Sequence, residues 1–185
     1  IRLAQEKAQK IFLALPVERQ VQSIVIGSDT SVVIEGDNGL IVYDTGLTHE
    51  QGKQILAEIR KFSDKPITTI FYSHHHPDHF GGTTGLVSEA DVKAGKVKIY
   101  AWDNFVEEMN SEFGPTSPAQ TVRVIYYLGL ALPKEEEHYH GCCGTKYQGS
   151  HAGYIAPTDT FSENTTLNIE GIDMEVFYTG GEAKS

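Results

Sequence analysis

Ser73-His74-His75-His76-Pro77-Asp78-His79 crowds four imidazoles and a carboxylate into seven residues. His74, His76, Asp78 and His79 have the spacing H-x-H-x-D-H. So many ligand-type side chains are costly to place together unless a cation binds among them. Alternate residues in a turn that follows a strand can converge on one side. Imidazole with carboxylate favours Zn2+ or a similar borderline ion. The competing reading is a solvated histidine-rich loop. An affinity tag does not fit, because the cluster is internal and is interrupted by Pro77 and Asp78.

Outward from the cluster, Ile67–Tyr72 reads as the strand that delivers it. Upstream, Val21–Ile26, Ser31–Gly36 and Gly39–Asp44 are rich in Val and Ile and read as strands. Gly36-Asp37-Asn38-Gly39 joins the last two as a hairpin turn, since Asn and Gly tolerate positive φ. Thr48 with Gln51 forms a capping box for a helix through Phe62, with Ile55, Ile59 and Phe62 on one face. Ala4, Ala8, Ile11, Phe12 and Leu15 have helical spacing up to Pro16. Downstream, a Gly81-Gly82 turn leads into a helix, then a short strand at Val97–Ala101. A helix is expected over Ala119–Leu130 and a loop over Pro133–Gly153. The end reads as β again, with Leu167–Ile169, a Glu170-Gly171 turn and Met174–Thr179. Two β-rich parts flanked by helices predict a layered α/β (α+β) sandwich.

The chain has 185 residues, enough for one domain, with 39% hydrophobic and 22% charged residues. Its formal net charge of -10 argues against a nucleic-acid partner, which needs clustered Lys and Arg. No apolar run reaches the length of a membrane span. The two cysteines, Cys142 and Cys143, are adjacent and cannot staple distant segments. The compartment stays open between cytoplasm and periplasm or exterior. Of the other ligand-like features, His138-Tyr139-His140 and Gly141-Cys142-Cys143-Gly144 read as surface loop. Tyr126, Tyr127 and Leu128 read as core, or as the lining of an apolar pocket.

The strand, the H-x-H-x-D-H run and the following Phe80-Gly81-Gly82 resemble the metallo-β-lactamase superfamily, as does the early hairpin from Gly36 to Gly46. The resemblance narrows to the alkyl sulfatases of that superfamily in His79-Phe80-Gly81-Gly82, in Ser88–Val97, in Ile155-Ala156-Pro157-Thr158 and in Gly180-Gly181-Glu182-Ala183. It implies an αββα sandwich, incomplete here, with residues 1–185 forming a single catalytic domain. It also implies a site of two zinc ions. His74, His76 and Glu163 would hold one, Asp78 and His79 the other, and Glu182 would bridge them. Asp78 and Glu182 would serve the catalysis, and Asp44 would support the site from behind. The residues alone argue less for the glutamates. Glu182 follows a strand and a Gly-Gly turn, whereas Glu163 sits in a polar turn where a solvated Glu is usual. His75 is expected to point away from the metals.

The implied activity is hydrolysis of alkyl sulfate esters such as dodecyl sulfate, with water activated between two metals. Two readings stand beside it: another hydrolase of the superfamily (a lactamase, lactonase or thioesterase), and a non-catalytic metal-binding domain. The chain departs from the family pattern after Glu182, where a further His is expected. With the start at Ile1, this leads to the expectation that more polypeptide completes the molecule and that the apolar face of Met174–Thr179 lacks its partner. A second copy of the chain is a further candidate partner.

Overall fold

The computed structural model describes residues 23–28, 31–114, 117–127, 151–179, 183 and 185. The expected N-terminal helix, the loop with His138, His140, Cys142 and Cys143, Leu128 and Glu182 lie outside them. The strands β1 (Ser23–Ser28), β2 (Ser31–Glu35), β3 (Leu40–Tyr43), β4 (Ile67–Phe71), β5 (Lys98–Trp102) and β6 (Asp159–Phe161) form one sheet in that order. The pairs β1–β2 and β2–β3 are antiparallel; β3–β4, β4–β5 and β5–β6 are parallel. The last two strands, β7 (Thr165–Ile169) and β8 (Ile172–Val176), form a separate antiparallel hairpin.

Strand alternation sends neighbouring side chains to opposite faces. Val33, Leu40, Val42, Ile70, Tyr72, Ile99 and Ala101 form one buried face. Helix α1 (His49–Ile59) covers it with Ile55 and Ile59, joined by Phe80, Leu86, Val92 and Phe105. These come from α2 (Pro77–Phe80), α3 (Thr83–Leu86), α4 (Glu89–Lys93) and α5 (Phe105–Phe113). On the other face lie Ile41, Phe71 and Phe161, with Tyr100 and Trp102. Leu167, Ile169, Ile172, Met174 and Val176 of the hairpin pack there. The described residues therefore stack as helices, sheet and hairpin.

That packing corrects the expectation of an unpartnered late strand. The i, i+2 alternation of Ile172, Met174 and Val176 presents them to the sheet's second face, though they remain half-buried. An aromatic row accepts them, with ring centroids 5.1 Å apart for Phe71–Tyr100 and 5.4 Å for Tyr100–Phe161. The hairpin turn is pinned as well. Glu170 accepts from Thr68 Oγ1 at 2.8 Å and from the Asn38 amide at 3.0 Å, so it joins the Gly36–Gly39 turn to the Glu170–Gly171 turn.

Thr48 caps α1 as expected, its hydroxyl accepting from the Gln51 amide at 3.2 Å. Gln51 reaches back to the Leu47 amide at 2.8 Å. The helix ends earlier than expected, at Ile59, and Phe62 is 67% exposed rather than on the buried face. The Arg60 guanidinium donates to the Ser63 and Lys65 carbonyls and turns the chain toward β4 before Phe62 can reach the sheet. The helix α6 (Ser117–Tyr127) is present, but its Tyr126 is 78% exposed and is not core. The helix α5 and the short β6 were not anticipated.

The turn after α2 sets the spacing around the histidine loop. A Cβ on Gly82 would collide with the Thr45 carbonyl oxygen, and one on Gly81 with that of Leu47. Glycine thus lets the chain after the histidines lie against the segment after β3, where the Gly82 amide donates to Gly46 O at 2.8 Å. Gly82→Ala is expected to cost about 1–3 kcal/mol of stability, as overpacking does. Urea denaturation measures it, and an unchanged midpoint would show that the two segments have room to part.

Candidate metal centre

The parallel strands β3 and β4 run side by side, so their C-terminal ends open at one edge of the sheet. Asp44 follows β3 and the histidine loop follows β4. Open α/β sheets hold their chemistry at such edges. Asp44 adopts φ 60°, which aims its carboxylate back toward β4. It is only 3% exposed. The Ser73 amide donates to its Oδ1 at 2.8 Å, the Ser73 hydroxyl to its Oδ2 at 2.8 Å, and His79 Nδ1 to its Oδ2 at 2.7 Å. Burial pushes the Asp44 pKa up, and these donors pull against that shift.

Hydrogen-bond accounting then assigns tautomers. A hydroxyl has one proton. Ser73 gives its proton to Asp44, so His74 Nδ1, 3.0 Å from Ser73 Oγ, must be the donor in that contact. His74 Nε2 therefore carries a lone pair. That atom is buried and has no hydrogen-bond partner. Burial, followed by the neighbouring His79 and His76, drives the His74 pKa down to about 4, so its imidazole is neutral at neutral pH. His79 gives its Nδ1 proton to Asp44, so Nε2 is the nitrogen it can offer a metal. The rings of His74 and His79 lie 3.9 Å apart, and those of His74 and His76 4.6 Å apart. Asp78 Oδ2 stands 3.5 Å from His79 Nε2.

A buried, unprotonated and unpartnered imidazole nitrogen beside two further imidazoles and a carboxylate is a donor set that fits a transition metal. The structure thus places the rings of His74, His76 and His79 and the Asp78 carboxylate close together in one loop, although the described residues whose donor atoms all lie within 4.8 Å of one another are His75, His76 and Glu112. Glu163 is exposed in the turn between β6 and β7, and none of the described contacts joins it to the histidines. Glu182 lies outside the described residues.

His75 has partners of its own, Glu112 and Ser185. It is buried, with Nε2 2.7 Å from Glu112 Oε2 and Nδ1 2.5 Å from Ser185 Oγ. Glu112 Oε2 also lies 3.5 Å from His76 Nε2. The donor atoms of His75, His76 and Glu112 all fall within 4.8 Å of one another. Glu112 was not foreseen. It sits on α5, far along the chain from the motif, and only tertiary packing shows it.

Beside Ser73 and His74 opens a cavity of about 280 Å3. Its apolar wall includes Phe71, Trp102, Phe161 and Val176, and Tyr178 packs on Trp102 at 4.9 Å between rings. The sheet and residues 176–179 line it; Tyr126 is not among the lining residues. Among the described residues no helix is long and apolar enough to cross a membrane.

Comparison with known proteins agrees with this architecture. Residues 26–177 match the family model described as the metallo-beta-lactamase superfamily. A linear primary-alkylsulfatase from a Pseudomonas strain is 38% identical over 152 residues, covering 82% of this chain and 29% of the relative. An (R)-specific secondary-alkylsulfatase from a Pseudomonas species is 33% identical over 180 residues, covering 95% of this chain and 27% of the relative. A solved double mutant of a sec-alkyl sulfatase superposes with a TM-score of 0.70 at 29% identity, covering 88% of this chain and 26% of that one. The chain thus spans less than a third of the length of these relatives.

Asp44→Ala is expected to weaken divalent-metal affinity by about 10–100-fold, the usual cost of losing a ligand's supporting carboxylate. Competition against a chromophoric chelator reads it. Equal affinity would show that His79 needs no anchor.

Proposed function

This chain belongs to the metallo-β-lactamase superfamily, and on that premise we propose that it is a catalytic domain hydrolysing alkyl sulfate esters with two zinc ions. The observation that carries the metal part is the buried, partnerless Nε2 of His74 among the other imidazoles. His74, His76 and Glu163 would hold one ion, Asp78 and His79 the other, with Glu182 bridging. Bound zinc supplies Lewis acidity toward the ester oxygens and lowers the pKa of water to about 7.

The chain's own residues supply position and solvent exclusion. Asp44 and Ser73 hold His79 and His74 in the tautomers that present Nε2. Asp78 and Glu182 are the carboxylates that orient the attacking water. The cavity beside His74 accepts an apolar chain while the anionic head stays at the edge of the sheet. Its Phe71, Trp102 and Phe161 walls favour alkyl over polar groups through burial of apolar surface. With a net charge of -10, these 185 residues attract no anion by their overall field. The sulfate must therefore be held by local positive charge, which the ions provide. The similarity to primary and secondary alkylsulfatases supports this substrate class over β-lactams.

Metal-loaded full-length protein is expected to release sulfate and alcohol from dodecyl sulfate, and to do so faster than it opens a penicillin. Sulfate and alcohol assays measure both products. No sulfate release, with penicillin or thioester turnover instead, would transfer the site to another hydrolase of the superfamily.

Two glutamates separate the ligand set from the scaffold. Glu182→Ala should lower zinc affinity far more than Glu170→Ala, whose carboxylate is already used by Thr68 and Asn38. Glu170→Ala should instead lower the thermal midpoint by loosening the hairpin. Equal zinc titrations for the two variants would remove Glu182 from the site.

A further inference from the structure

We propose that Glu112 is a positioning residue for the metal centre, which fixes the ring of His76 and selects the nitrogen with which His76 binds. The inference rests on the zinc reading above and adds a residue to it from α5.

Glu112 Oε2 meets two adjacent imidazoles on the same edge. It lies 2.7 Å from His75 Nε2 and 3.5 Å from His76 Nε2. His75 is 2% exposed, and both of its ring nitrogens are engaged, one by Glu112 and one by the Ser185 hydroxyl. With its proton on Nε2, His75 donates to Glu112 and accepts from Ser185, so the buried ring is satisfied without a metal. It is therefore a strut rather than a ligand. The strut holds the Glu112 carboxylate at the Nε2 side of His76. The rings of His75 and His76 meet edge to face, with centroids 5.3 Å apart, which sets one against the other.

A carboxylate at one imidazole nitrogen favours the proton there and leaves the lone pair on the other. Glu112 thereby keeps the proton of His76 on Nε2 and presents Nδ1 to the ion. His74 and His79 have the opposite polarity, because Ser73 and Asp44 hold their Nδ1 protons. The three histidines are thus oriented by three separate anchors. Glu112 is the only one of these that does not arise at the ends of β3 and β4.

The test uses full-length protein loaded with Co(II) in place of zinc, because its d–d absorption reports ligand geometry. Glu112→Ala should weaken Co(II) affinity by about 10–100-fold and shift the absorption bands. Glu112→Gln keeps an acceptor of the same length and should recover part of both. The exposed Glu107→Ala, on the same helix, should leave both unchanged. Thermal midpoints of the metal-free variants are measured in parallel. Co(II) affinity and spectrum that stay at wild-type values in folded Glu112→Ala and Glu112→Gln would overturn the proposal, even if stability fell. If wild-type protein itself takes up no Co(II), the metal reading fails. Uptake by wild type with no response to Glu112 removes this inference alone.

Discussion

The buried carboxylate of Asp44 is the contact on which the histidine loop depends. Burying a charge is costly unless hydrogen bonds and opposite charge offset it. Here three donors from Ser73 and His79 converge on one carboxylate, and the chain adopts a positive φ at a non-glycine residue to place it. Strain and burial of this kind persist only where the surroundings over-determine them. The Asp44 amide donates to the Phe71 carbonyl at 2.8 Å, the Thr45 amide to that of His79 at 2.8 Å and the Gly82 amide to that of Gly46, so the segment after β3 is laced to the end of β4 and to the end of the histidine loop. On the proposed reading, the positive charge of the centre is the remaining offset for this carboxylate.

What the sequence made legible was local. The cap at Thr48 needs only Gln51, and the Glu170–Gly171 turn needs only residues that accept positive φ. The Gly36–Gly39 turn is present without positive φ: a Cβ on Gly36 would collide with Glu170 and one on Gly39 with Thr68, so close approach is what calls for glycine there. The H-x-H-x-D-H run is likewise readable within one turn of chain. The arrangement of Asp44 behind the site came from family resemblance, and its contacts explain why an acid belongs there. Legibility failed where distance along the chain intervened. Glu112 meets His75 across 37 residues, and no spacing rule connects a helix glutamate to a distant loop. The strand β6 is three residues long, too short for alternation to mark it. Phe62 has the right period for the face of α1, but Arg60 turns the chain away first. The apolar side of β8 found its partner on the far face of the sheet, which a strand-by-strand reading does not reveal.

The two faces of the sheet do different work. Leu40, Val42, Ile70 and Ile99 bind the helices and make the scaffold rigid. Ile41 and Phe71 point the other way, toward the hairpin, and Phe71 continues into the wall of the cavity. Because successive residues of β4 alternate, the strand that ends in the histidine loop also supplies an apolar surface beside it. On the proposed reading, a site for a molecule with an anionic head and an apolar tail needs this adjacency, and strand geometry supplies it without any long insertion.

The dependence of His76 on α5 extends this logic into the core. Phe105, at the start of that helix, is 1% exposed and packs against Tyr72 and Phe80, with centroids 5.4 and 5.6 Å away. Tyr72 immediately precedes Ser73, and Phe80 immediately follows His79. The aromatic cluster therefore clamps both ends of the histidine loop and the base of the helix that carries Glu112. Close-packed interiors transmit small displacements rather than absorbing them. A shift of Phe105 would move Glu112 relative to His76 and would also move the two ends of the loop. On the proposed reading, then, the precision of the centre is a property of core packing as much as of its ligands. A core residue that touches no metal helps decide which nitrogen of His76 faces it.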